Sequence, residues 1–187
     1  MNSIIISASS MFIASTIGVP LVAQVNSNAT LEVVPSIDLH RYVGTWYEIA
    51  RLPNSFQTKC VGNVTATYIL LEDGTIRVVN RCRTGDGSTT EAEGKARIAD
   101  DNGPNTKLKV RFAPAILSFL PFVWGDYWII ELGADYEYAV VGEPKREYFW
   151  IISRTPKMEE SAIQSILERA REKGFDVSKI IRTAQGN

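Results

Sequence analysis

Cys60 and Cys82 are the only thiols of this chain, and His40 is its only imidazole. A catalytic cysteine needs thiolate character, which a neighbouring imidazole or other cation supplies, and no histidine stands near either cysteine. His40 precedes the first strand pattern and has no second histidine to complete a two-histidine site, so it reads as a surface residue rather than a haem or metal ligand. With 20 basic and 21 acidic residues and a net charge of -1, the electrostatic footprint of a nucleic-acid binder is missing. What remains is a chemistry of apolar contact, with aromatic side chains and a few carboxyl and hydroxyl handles.

The elements that must position those groups alternate with a period of two. In Val64–Leu70 and again in Ile76–Cys82 the even positions share a face, while Arg77 and Arg81 fall on the other. Glu72-Asp73-Gly74 between them is a three-residue loop that needs its glycine left-handed and sets Leu71 opposite Thr75. Ala92–Ile98 and Lys107–Phe112 place every charge on the odd face, which is therefore expected to meet solvent. The even, inward face carries Ala66, Ala92, Gly94 and Ala96 beside Tyr68 and Phe112. Small residues on adjacent strands imply a hollow, unless large neighbours fill the gaps.

Two separated segments, Gly44-Thr45-Trp46-Tyr47 and Ile152-Ser153-Arg154-Thr155, suit a barrel floor. The glycine lets a strand start against another backbone, and the guanidinium of Arg154 can stack on a buried indole while donating to carbonyls. These segments resemble the lipocalin family. The longer runs Gly44–Arg51 and Trp150–Pro156 resemble its bacterial and apolipoprotein D-like branch, and Asp135-Tyr136 stands at a further family motif with Ala134 replacing its threonine. The resemblance implies an all-β domain with one C-terminal helix, an eight-stranded antiparallel up-and-down barrel. It also implies Gly44, Trp46 and Arg154 as the structural floor, and no enzyme activity and no cofactor. The expected function is storage or transport of a fatty acid, lysophospholipid or similar hydrophobic ligand in the barrel cavity, in the service of membrane maintenance. Parity turns Tyr68, Phe112 and Trp150 inward, and the resemblance sets Glu48 and Tyr127 facing the same hollow. The alternative is a lipocalin-fold enzyme acting on a lipid or carotenoid-like substrate through a free cysteine or paired carboxylates.

Residues 1–29 read as a signal peptide or apolar leader, and 30–187 as one domain. Ile4–Val22 has the character of a secretory core, although Met1-Asn2-Ser3 carries no positive charge. Export to the periplasm or outer membrane is expected, with secretion as the alternative; no cysteine before Cys60 offers a lipid anchor. Residues 113–125 form an apolar, proline-bounded stretch with open readings: cavity lip, peripheral membrane contact, dimer contact or a fold-back over the core. Monomer and homodimer both stay open. Ile163, Ile166, Leu167 and Ala170 recur at helical spacing before Gly174, an amphipathic helix for the barrel wall, and Phe175–Ile181 reads as a tail strand. Cys60 and Cys82 share a face, which in an exported protein favours a disulfide. An ideal ladder nevertheless sets Cys82 opposite Val64, too far from Cys60 unless the chain curls back before Val61.

Overall fold

The computed structural model describes residues 30–112 and 123–186. The leader and most of the apolar 113–125 stretch lie outside the described residues. The alternating segments form β1 (Gly44–Arg51), β2 (Cys60–Leu70), β3 (Ile76–Thr84), β4 (Thr89–Ile98), β5 (Lys107–Arg111), β6 (Gly125–Leu132), β7 (Tyr138–Gly142) and β8 (Phe149–Ser153). Each is antiparallel to the next, and β1 pairs with both β2 and β8, so the sheet closes into an eight-stranded barrel without free edges. The hairpin after β2 forms as its glycine requires: Gly74 adopts φ 76°, and the Leu71 amide donates to the Thr75 carbonyl at 2.8 Å.

The two faces of the strands feed two cores. Inside the barrel, Trp46, Tyr68, Val78, Leu108, Ile129, Val141 and Ile152 pack together. Outside it, Val140, Phe149 and Ile151 meet Ile163, Ile166, Leu167 and Ala170 of α2 (Glu160–Glu172). That helix is the one predicted from periodicity, and Gly174 at φ 91° ends it. The tail differs from expectation. Phe175 is buried on Phe149, with ring centroids 5.0 Å apart, and Val177–Lys179 is a 3-10 turn. Only Ile181–Arg182 pairs with β1, as β9.

The odd face of β4 and β5 is not uniformly wet. Arg111 is buried, its guanidinium 5.1 Å from the ring centre of Trp124, while Arg97, 4.6 Å from the same ring, stays exposed; the indole adds a cation–π contact to a charge that alternation alone assigns to solvent. The disulfide between Cys60 and Cys82 is present, with Cα atoms 5.5 Å apart. The ladder does bring Thr65 opposite Arg81, one step from the unfavourable pairing, but two register shifts follow and set Gly62 opposite Arg83 and Cys60 opposite Thr84. Asn63 takes the left-handed conformation (φ 52°) at this bulge. The curl that bonding demanded is thus made between Cys60 and Thr65.

Candidate functional site

The closed end is built on the N-terminal approach to β1. Asp38 caps the short helix α1 (Leu39–Tyr42) by accepting from the His40 amide, which leaves His40 exposed on its surface. The next residues turn into β1 at Gly44, whose φ of 99° and whose contact with the Arg154 guanidinium both favour glycine. Arg154 lies 3.8 Å over the Trp46 ring and donates to the carbonyls of Thr45, Arg41, Tyr42 and Val43. Trp46 is fully buried, and its indole N–H donates to the Tyr42 carbonyl at 2.8 Å. Tyr136, of the Asp135-Tyr136 pair, joins the same end: its hydroxyl accepts from the Asp38 amide at 2.8 Å, and its ring lies 4.1 Å beneath Arg41.

Above this floor three phenols meet. Tyr42 arrives from α1, Tyr68 from β2 and Tyr127 from the facing strand β6; the hydroxyl of Tyr127 hydrogen-bonds to both others at 2.8 Å. The Tyr68 and Tyr127 rings stand edge to face at 6.0 Å. Burial pushes all three phenols up, Tyr68 to about 12, so they are uncharged donors at neutral pH.

On the wide-end side of Tyr68, the register aligns Ala66, Asn80 and Ala92 across β2, β3 and β4. Asn80 is half-buried and its amide has no hydrogen-bond partner among the described residues. One step toward the floor the picture changes. A side chain on Gly94 would meet the Arg111 carbonyl at 2.6 Å and the Phe112 ring at 2.7 Å. The gap that Gly94 leaves is therefore occupied, and Phe112 fills it from just beyond β5 while staying 45% exposed.

At the wide end, β1 carries a bulge between Glu48 and Ala50, which turns both Glu48 and Arg51 inward against Ile152 and Trp150. The Glu48 carboxylate is 4% exposed. It pairs with Arg51 at 3.2 Å and accepts from Gln57 at 2.7 Å and from Thr183 at 2.5 Å. Burial raises its pKa, and these hydrogen bonds and the Arg51 charge offset that rise only in part. Gln57 also accepts from the Trp150 indole at 3.1 Å. Trp150 stacks on Tyr148 with rings 6.0 Å apart, and Phe56, 59% exposed, leans on both.

The five residues expected to line the hollow thus divide. Tyr68 and Tyr127 meet near the floor, Glu48 and Trp150 meet through Gln57 at the wide end, and Phe112 stands apart over Gly94. Sequence reasoning missed Tyr42, Asn80, Arg51, Gln57 and Thr183. Asn80 had a signal, an amide on the inward parity between alanines; Arg51 is hidden by the bulge, and Gln57 and Thr183 come from segments without periodicity. Both cysteines are bonded, so neither is a thiol here. Among the described residues no histidine, cysteine and carboxylate cluster could hold a metal ion.

Comparison with known proteins agrees with this architecture. Residues 37–185 match the family model of the lipocalin-like domain. Temperature-induced lipocalin-1 of Arabidopsis thaliana is 43% identical over 158 residues, covering 84% of both chains. The outer membrane lipoprotein Blc of Escherichia coli is 41% identical over 154 residues, 82% of each. Among solved structures, insecticyanin from the tobacco hornworm Manduca sexta superposes with a TM-score of 0.64 at 20% identity, covering 85% of this chain and 86% of that one. A closed barrel floored by Trp46 and Arg154 and backed by α2, matched by the family model over nearly all of its length, places this chain in the lipocalin family.

Proposed function

We propose that this protein is a non-catalytic carrier that holds a fatty acid, a lysophospholipid or a similar single-chain lipid along the barrel axis, its polar head at the wide end. Lipocalins bind small hydrophobic ligands. The observation that carries the reading for this chain is the Ala66–Asn80–Ala92 row, where three adjacent strands bring two alanines and an amide without a partner among the described residues onto the inward parity. A filled core would place large branched residues there. At the rim, the Glu48–Arg51 pair supplies both signs of charge and Trp150 a flat apolar wall, which suits an amphiphile's head and first methylenes. Each buried methylene contributes about 0.8 kcal/mol, so a long chain gains on the order of 10 kcal/mol before association costs, sufficient for micromolar binding.

The kinship with an outer membrane lipoprotein supports an exported location, in the periplasm or at the outer membrane, where such a carrier handles lipids released from membranes. Titration with a fatty acid or a lysophospholipid should quench tryptophan fluorescence saturably at micromolar ligand. Trp150→Ala should abolish most of that change without altering the circular dichroism spectrum. An unaltered quench in that variant moves the site away from Trp150, and the absence of binding by every long-chain amphiphile overturns the carrier reading.

A further inference from the structure

The three phenols near the floor hold more protons than their mutual bonds consume. Three hydroxyls carry three protons, and the two bonds, Tyr42 to Tyr127 and Tyr127 to Tyr68, use two. Whichever way the donors point, one O–H is left over. If the chain runs in one direction, the last phenol keeps it; if both outer phenols donate to Tyr127, then Tyr127 keeps it. No other hydrogen-bond partner of the three hydroxyls exists among the described residues, although Tyr42 and Tyr68 are 2% and 7% exposed. A buried donor left unmade costs stability, so the surplus proton needs an acceptor.

The register shows where an acceptor can come from. Next to the Tyr68–Val78–Gly94 level, on the wide-end side, lies the Ala66–Asn80–Ala92 row, whose two alanines add little side-chain volume beside the phenols. The charge of Arg154, beneath the same floor, is committed to four backbone carbonyls. An ionised head would therefore meet neutral donors and no available cation here, at a large desolvation cost.

We infer that the Tyr42–Tyr127–Tyr68 chain is an internal anchor for an uncharged oxygen acceptor, a ketone, ester or ether, at the end of the ligand that enters first. This rests on the carrier function and extends its ligand class beyond fatty acids and lysophospholipids, whose inner end is a bare methyl group, to apolar molecules oxygenated at the inner end. Asn80, in the neighbouring row, offers its amide as a further contact for the same oxygen or a nearby one.

The probes are a long-chain methyl ketone and the alkane of equal length, titrated against the full chain by tryptophan quenching. The ketone should bind roughly fivefold to tenfold more tightly, the worth of one neutral hydrogen bond. The carbonyl stretch of the ¹³C-labelled ketone should shift to lower frequency on binding. Single phenylalanine variants retain a surplus proton: Tyr42→Phe and Tyr68→Phe each leave two protons for one bond, and Tyr127→Phe leaves two phenols unbonded. Each should therefore keep the preference, and only the triple variant Tyr42→Phe, Tyr68→Phe, Tyr127→Phe should lose it while still binding alkane. Equal ketone and alkane affinity in the wild type, as when a water already takes the proton, overturns the anchor and leaves the carrier reading standing. A preference that survives in the triple variant also overturns it. Should the triple variant not fold, the infrared band of the wild-type complex decides: a downshift supports the anchor and an unshifted band rejects it. Failure of alkane, ketone and fatty acid alike rejects the carrier itself.

Discussion

Trp46 carries the closed end as a single residue, because its two faces and its N–H all have partners. Its ring meets Tyr42 at 5.1 Å and Arg154 at 3.8 Å, so truncation removes packing, a cation–π contact and a hydrogen bond together. Trp46→Ala should cost about 3–5 kcal/mol in chemical denaturation, in the range of large-to-small core changes, and Arg154→Ala should cost less. Unchanged melting for Trp46→Ala contradicts the floor described above. Glu48 gives a pH signature of definite sign. Its folded-state pKa is raised by burial, so the folded state holds the proton more tightly than the unfolded chain. Stability tied to this group therefore grows as pH falls from neutrality through the raised value and levels off below the ordinary glutamate range. The stability of wild type relative to Glu48→Gln should rise along that descent. A difference that stays flat assigns the carboxylate an ordinary ionisation and one that falls assigns it a lowered pKa, and either contradicts the raised value.

At the scale of elements, the β1–β2 junction needs more than alternation. The bulge at Gly62–Asn63 brings Cys60 to Cys82 and also receives the tail: the Asn63 amide donates to the Ala184 carbonyl at 2.8 Å, and Gln185 bridges the carbonyls of Glu48 and Val64. A side chain at Gly62 would stand 2.6 Å from that Ala184 carbonyl. Bonding cysteines 22 residues apart stabilises by roughly 3 kcal/mol in the chain-entropy model. Cys60→Ser, Cys82→Ser should lose about that much, read as a lower denaturation midpoint with a steeper slope because the uncrosslinked unfolded chain exposes more surface, and the native wild type should show no thiol reactive to a thiol reagent. Gly94 tests the opposite wall. Gly94→Ala drives a methyl group into the Arg111 carbonyl and the Phe112 ring, and it should cost about 1–3 kcal/mol as an overpacking change.

For the whole molecule, closure leaves α2 and the tail to cover the outer apolar strip while the inner face faces the lumen. A ligand that binds only the closed barrel stabilises it by RT ln(1 + [L]/Kd), about 2.7 kcal/mol at a hundredfold excess over Kd. Lysophospholipid should accordingly raise the melting temperature of the wild type in a concentration-dependent way. The same addition to Trp150→Ala should give a smaller shift, because the wide-end wall is lost. Equal shifts in the two proteins place the bound chain elsewhere.

The hairpin at Glu72–Gly74, the strand parities of β2 to β4 and the helix from Glu160 were legible in the sequence because each depends on contacts between near neighbours: a glycine at positive φ, a pleat of period two, a turn of 3.6 residues. The pairing of Gly44 and Trp46 with Arg154 was legible through residue types that do one specific thing together. The rest depended on places where a local pattern breaks under long-range contact. The β1 bulge turns Arg51 inward beside Glu48, Arg111 is buried beside Trp124, Phe112 fills the gap at Gly94, and Thr183 crosses from the tail to a carboxylate 135 positions earlier. The meeting of three tyrosines from α1, β2 and β6 belongs to this second kind. A side chain's type and parity are local properties, but which hydroxyl lies 2.8 Å from which is decided only when the sheet closes and sets opposite walls face to face.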